Sequence, residues 1–325
     1  CSTERDGAMQ FRQKVAKRAA MKSLQFNEFD AFVETVRDVD AVMTLQNPEH
    51  RVWKINQTTV EALHVQLGQV GSGNIVEGQS WSDGTLLYLP LSTGVTYRAN
   101  GVALGPEDVM VLDPSREFCI ATRHAHDWCT VLLPQRAPSQ DFGTHDVAWR
   151  ATHELAERFR YAVRETLRAS ANSTCFADSV GAKVAAAQLE EVASAILSKP
   201  QPSIAEISGR PRLNRKNVLQ VCHEMIEARA GLPLRVAELV AATGVPERTL
   251  RQVFHDYFGI GPLRYLKLRQ LNQVFAALRA ANPKATRVGD ILAAHGIWEF
   301  GRFASNYRHL FGEPPSQTLR GSRAS

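Results

Sequence analysis

The chain reads as an α+β protein: a β-rich first part, a helical middle, and an all-helical last third built from two helix-turn-helix units. Three observations predict this. Between about 50 and 134, short β-prone runs alternate with turn residues. From about 146 to 198, and again from 215, apolar residues recur at helical spacing. A helix, a glycine turn and a second helix then occur twice, with the turn glycines Gly244 and Gly296 52 residues apart.

In chain order, residues 1–25 are expected to be a tail. Phe26, Phe29, Phe32, Val33 and Val36 predict a helix over 26–36. The expected strands are Thr59–Leu67, Thr85–Pro90, Thr93–Ala99, Asp108–Leu112, Phe118–Thr122 and Trp128–Leu133. Gly71-Ser-Gly73, Ser82-Asp-Gly84 and Asn100-Gly101 read as turns, the last a hairpin signal. Short strands at this spacing make a small sandwich or barrel over residues 26–145. Trp149, Leu155, Phe159, Val163 and Leu167, then Val184, Leu189, Val192, Ile196 and Leu197, predict helices over 146–199. Pro200 and Pro202 open a polar linker, 200–214, ahead of the helical region 215–320.

Composition bounds the function. Hydrophobic residues are 44% and charged residues 22%, ordinary for a globular chain. The net charge of +5 is unevenly spread: residues 211–325 carry 17 Lys+Arg against 8 Asp+Glu, and the rest 21 against 25. A basic last third points to a polyanion partner or to a solvated basic surface. The five cysteines are scattered and odd in number, which argues for reduced thiols rather than a disulfide framework. With no apolar run of membrane length and no apolar signal core near the N-terminus, the expected compartment is cytoplasmic and reducing.

The last third carries the chemistry. Arg235–Ala242 is amphipathic, Gly244 suits the positive φ of a sharp turn, and Pro246 suits the first turn of the next helix. In Pro246–Tyr257, Leu250, Val253 and Phe254 turn inward, leaving Arg248, Arg251 and Gln252 on other faces. That is the layout of a major-groove reader, in which arginine recognises guanine and glutamine adenine. The pattern repeats as Val288–Ala294, Gly296 and Glu299–Phe311, with Arg302, Ser305, Asn306 and Arg308 outside the apolar stripe. Trp298 and Phe300 are expected in the core rather than as a wedge into DNA. Pro262–Ala280 reads as one connecting helix, nearly 30 Å long at about 1.5 Å per residue. That approaches one turn of duplex, about 34 Å, so the two units could enter successive major grooves.

Residues 235–320 resemble the AraC/XylS-type DNA-binding domain. The resemblance rests on Val236-Ala-Glu-Leu-Val-Ala-Ala-Thr-Gly244, Arg248-Thr-Leu-Arg-Gln-Val-Phe254, Gly259-Ile-Gly-Pro-Leu-Arg-Tyr-Leu266 and Gly301-Arg-Phe-Ala-Ser-Asn-Tyr-Arg-His-Leu-Phe-Gly-Glu-Pro-Pro-Ser316. It implies base reading by Arg248, Arg251, Gln252, Arg302 and Ser305. Thr249, Arg264, Lys267, Asn306 and Arg308 would hold phosphates. Three departures stand out: Ile297 where the family often has Phe, Gln270 where the connector usually carries Arg, and Glu299 at the start of the second reading helix. An acidic residue there suits the helix dipole but repels phosphate, so specificity is expected mainly from the first unit.

The resemblance further implies that the β-rich domain is a small cupin-like barrel binding a small-molecule effector, and that 146–199 mediates homodimer formation or packs on the barrel. RNA polymerase is a further implied partner. Trp81, Tyr88, Tyr97, Phe118 and Trp128 are candidates for a pocket, though strand aromatics usually serve as core. A rival reading is a metal-dependent cupin enzyme fused to a DNA anchor, because His124-Ala-His126 has the spacing of a metal-binding pair. The partner carboxylate such a site needs is missing, since Thr130 and Val131 stand there. The expectation is therefore a regulator that is not an enzyme and has no metal and no cofactor.

Overall fold

A computed structural model describes residues 21–81, 84–114, 116–134, 148–172, 176, 179–198, 201–202, 215–229 and 232–321. The described strands form one antiparallel sheet that curls into a nearly closed barrel. They are β1 (Lys22–Phe26), β2 (Val39–Val60), β3 (Leu63–Ser80), β4 (Thr85–Pro90), β5 (Tyr97–Ala99), β6 (Val102–Leu104), β7 (Asp108–Leu112), β8 (Glu117–Thr122), β9 (His126–Leu133), β10 (Ala148–Arg150) and β11 (Gln201–Pro202). A short helix, α1 (Phe29–Val33), lies between β1 and β2.

The long hairpin β2–β3 organises the barrel. Val60 pairs with Leu63 across a two-residue turn in which Glu61 takes a φ of 51°. One edge of β3 bonds β2. The other bonds β9 through His64–Val70 and β8 through Asn74–Gln79. The strand changes partner at Gly71-Ser72-Gly73, where backbones approach too closely for a side chain: a Cβ on Gly71 would stand 2.2 Å from the His50 carbonyl oxygen. These glycines are not the turn their sequence suggests. Asn100 and Gly101 do form the expected tight hairpin, with φ of 48° and 84° between β5 and β6.

Several elements differ from expectation. The segment 59–67 spans a hairpin rather than one strand, and 93–99 supplies strand only over 97–99. The helix expected over 26–36 shortens to α1, and Lys22–Phe26, which takes in the last four residues of the expected tail, pairs with β2. Trp149 lies in β10, so the helical middle begins at α2 (His153–Asn172), followed by α3 (Val180–Ser198). Residues 201–202 pair with β10 at the start of the expected linker. The rest of the linker, 203–214, and residues 1–20 lie outside the described residues.

Strand β4 is buried on both faces, which explains its unbroken apolar run Leu86–Leu89. Leu86 and Tyr88 face the barrel interior, while Leu87 and Leu89 join a second core with Phe159, Val163, Leu189 and Ile196 of α2 and α3. These helices cover the outside of the sheet.

The last third is helical: α4 (Arg215–Ala228), α5 (Val236–Thr243), α6 (Glu247–Phe258), α7 (Pro262–Ala280), α8 (Val288–Ala294), α9 (Phe300–Phe311) and α10 (Pro315–Gly321). It packs against the barrel in one apolar cluster that runs from Phe29 to Leu319. Polar contacts stitch the seam. Glu77 of β3 accepts from the Tyr265 hydroxyl at 2.9 Å and lies 2.8 Å from Nε2 of His223. Asn272 exchanges side-chain hydrogen bonds with the backbone of Leu45.

Candidate nucleic-acid interface and ligand cavity

The two helix pairs are built alike. In the first, the Arg235 backbone N–H donates to the Glu238 carboxylate at 2.8 Å, α5 ends at left-handed Gly244 (φ 65°), and α6 follows. In the second, the Arg287 N–H donates to Asp290 at 3.1 Å, α8 ends before Gly296 (φ 65°), and α9 follows. The acidic residue three places into each helix satisfies an otherwise orphaned donor. Both second helices stop at left-handed glycines, Gly259 and Gly312. They are anchored by buried Leu250, Val253 and Phe254 in α6, and by Phe303, Tyr307 and Leu310 in α9.

Between them α7 spans Pro262–Ala280 as the sequence predicts, with Tyr265, Leu268, Leu271, Val274 and Leu278 buried. Gln270, one of the departures noted above, has a structural role: its amide donates to the His295 carbonyl at 3.1 Å and ties the connector to the second turn.

The predicted reading residues Arg248, Arg251, Gln252, Arg302 and Ser305 are all exposed. Arg251 pairs with Glu247 at 2.5 Å and Gln252 donates to Asp256 at 2.8 Å; Arg302 sits 3.4 Å from Glu299. Such solvent-exposed pairs are worth at most about 1 kcal/mol and yield readily to another partner. Arg264, Lys267, Asn306 and Arg308 are exposed as well, and Thr249 is half-buried. Trp298 and Phe300 are not core: they are 77% and 44% exposed, because Ile297 alone turns inward after Gly296.

The barrel grips the far ends of both second helices. Arg51 donates to the carbonyls of His309 and Leu310 at 3.3 Å, at the end of α9. Arg98 donates to the Asp256 carbonyl at 3.2 Å, near the end of α6. A cation there meets the negative end of the helix dipole. Neither arginine was legible as a partner, since each pairing spans more than 150 residues of chain.

Inside the barrel lies a cavity of about 50 Å³, against roughly 10–15 Å³ for one water. Of the aromatic candidates, Tyr88, Phe118 and Trp128 line it. Tyr97 is buried edge-on to His126, while Trp81 is 44% exposed. Val36, Met43 and Val76 add to the apolar wall, and no local sequence signal marked them as lining it. The Tyr88 hydroxyl is buried with no hydrogen-bond partner among the described residues. Burial raises its pKa well above the ordinary value and lowers that of His126 to about 4, so both remain uncharged. His126 faces this cavity; its Nδ1 lies 2.9 Å from the His124 carbonyl. His124 instead sits outside, its ring 2.7 Å from Glu49. One imidazole of the candidate metal pair is thus buried at the cavity and the other is exposed in the turn before β9.

The last third defines a helix-turn-helix protein, and a family model described as a helix-turn-helix domain matches residues 239–321. The XylDLEGF operon transcriptional activator 2 of Pseudomonas putida is 30% identical over 137 residues, 42% of this chain and 81% of that protein. The probable thc operon regulatory protein of Rhodococcus erythropolis is 32% identical over 110 residues, 34% of this chain and 33% of that one. The chain belongs to the AraC/XylS family of transcription regulators. It spans about a third of the length of several of the curated relatives it matches. Among solved structures, the AraC-like transcriptional activator CuxR is 13% identical with a TM-score of 0.43, over 79% of this chain and 95% of that one. A cupin from Shewanella frigidimarina is 12% identical with a TM-score of 0.20, over 28% of this chain and 81% of that one. No helix among the described residues is long and apolar enough to cross a membrane.

Proposed function

We propose that this protein is a sequence-specific DNA-binding transcription regulator whose barrel takes a small-molecule effector. The observation that carries the reading is the pair of like-built helix-turn-helix units on one 19-residue connector, with every candidate reading residue exposed. Specificity lies mainly with Arg248, Arg251 and Gln252; Arg302 and Ser305 add contacts from the second unit. Thr249, Arg264, Lys267, Asn306 and Arg308 hold phosphates.

The effector occupies the barrel cavity, where the orphaned Tyr88 hydroxyl gives it a hydrogen-bond partner. Pairing of two copies uses α2 and α3, whose outer faces carry Tyr161, Val180 and Val184 at more than 60% exposure. Contact with RNA polymerase belongs to the same reading, as does residence in the cytoplasm.

Selection of duplexes from a random pool, followed by footprinting, tests the DNA reading. Two short boxes about one helical turn apart are expected. Arg248→Ala and Arg251→Ala should each lower affinity by roughly 5- to 100-fold. Unchanged footprints from both variants would show the assigned reading face to be wrong.

A further inference from the structure

The second unit opens differently from the first. After Gly244 the first unit buries Val245 and then exposes Pro246, Glu247 and Arg248. After Gly296 the second buries Ile297 and then exposes Trp298, Glu299 and Phe300, in the turn and at the start of α9. Among the described residues neither aromatic ring has a ring, cation or hydrogen-bond partner. Gly301 follows, and a Cβ built there meets nothing within 4 Å, so the surface beside the rings is open. Arg302, the nearest cation on α9, already faces Glu299.

A single exposed apolar side chain needs no explanation, but two aromatic rings at the head of a reading helix form a surface. That surface is continuous with exposed Arg302, Ser305 and Asn306 on α9, the helix that repeats α6. It offers little net charge and much apolar area. The major groove displays one apolar group, the thymine 5-methyl.

We propose that Trp298 and Phe300 contact DNA, packing on thymine methyl groups and the adjoining sugars, so that the second unit recognises its box by apolar contact. The first unit works through arginine and glutamine; the second selects thymine. The proposal rests on the DNA-binding reading above.

The test uses the full chain and the duplex it selects. Footprinting locates the second box, and each thymine in it is replaced by deoxyuridine, which pairs alike but lacks the methyl. That replacement should lower wild-type affinity roughly 5- to 10-fold. Trp298→Ala and Phe300→Ala should lower affinity by a similar factor on the thymine duplex and be indifferent to the replacement. Trp298→Phe should retain most of the discrimination. The melting temperature of Trp298→Ala should match wild type, because that side chain is 77% exposed, so a lost affinity there is not a lost fold.

The proposal is overturned if the alanine variants bind both duplexes as wild type does. It is equally overturned if they keep DNA affinity but lose activation with purified polymerase, since the patch would then dock a protein. If the wild-type chain enriches no sequence at all, the DNA-binding reading fails and takes this one with it.

Discussion

Replacing His126 by glutamine removes a ring that the barrel holds neutral. Burial brings its pKa from 6.5 down to about 4. As pH falls through 6.5 the unfolded chain takes up a proton on this ring, whereas the folded chain waits until about 4. The unfolded state binds more protons across that window, so stability rises with pH there and is lost on acidification. At about 1.36 kcal/mol per pH unit between the two pKa values, going from pH 7 to pH 5 costs about 2 kcal/mol.

Asp30 acts in the opposite direction. Burial raises its pKa from 3.8 to about 6, against the lowering effect of Arg279. The folded chain protonates it first, and acid favours the fold by about 1 kcal/mol over the same interval. Wild type should therefore show a shallow profile in which two contributions partly cancel. His126→Gln leaves Asp30 in place, so relative to wild type the variant should gain about 2 kcal/mol between pH 7 and pH 5. Urea unfolding at pH 7, 6 and 5 measures this, because the difference at each pH cancels the groups both chains share. A difference that stays constant within about 0.5 kcal/mol would refute the neutral buried ring.

Three further outcomes concern the seam and the glycines. Tyr265→Phe removes a buried donor to the Glu77 carboxylate and should cost about 1.5–3 kcal/mol, read as a lower urea midpoint; a midpoint equal to wild type would mean that the seam contact is idle. Gly71→Ala forces a Cβ to 2.2 Å from the His50 carbonyl oxygen and should cost more than about 2 kcal/mol. Gly301→Ala, where a Cβ meets open space, should instead stabilise α9 by up to about 1 kcal/mol in the same measurement.

The helical third was legible because its signals are local. Gly244, Gly259, Gly296 and Gly312 all adopt positive φ at helix ends, and the apolar stripes fall at helical spacing. The barrel was less legible because its decisive contacts are long-range. Glu61 takes a left-handed turn without being glycine, so the hairpin between β2 and β3 hid inside one apparent strand. Gly71 and Gly73 looked like turn residues but mark close backbone approach within a strand. Trp149 fitted a helical stripe, yet 148–150 pairs with β7. Three of five aromatic pocket candidates line the cavity: strand alternation could place Tyr97 inside but not say how far along the barrel, and Trp81 falls just beyond the end of β3. Trp298 and Phe300 read as core from the sequence, whereas of the residues just after Gly296 only Ile297 turns inward.

The grip of Arg51 and Arg98 on the ends of α9 and α6 has a consequence for how this architecture can be taken apart. A fragment cut at residue 215 keeps both reading helices but gives up these arginines and the barrel side of a continuous apolar core. Its newly wetted face would include residues evolved to sit dry against the sheet. The barrel is thus a scaffold for its neighbour as well as a container, and exchanging it for a foreign domain would mean regrafting that face residue by residue.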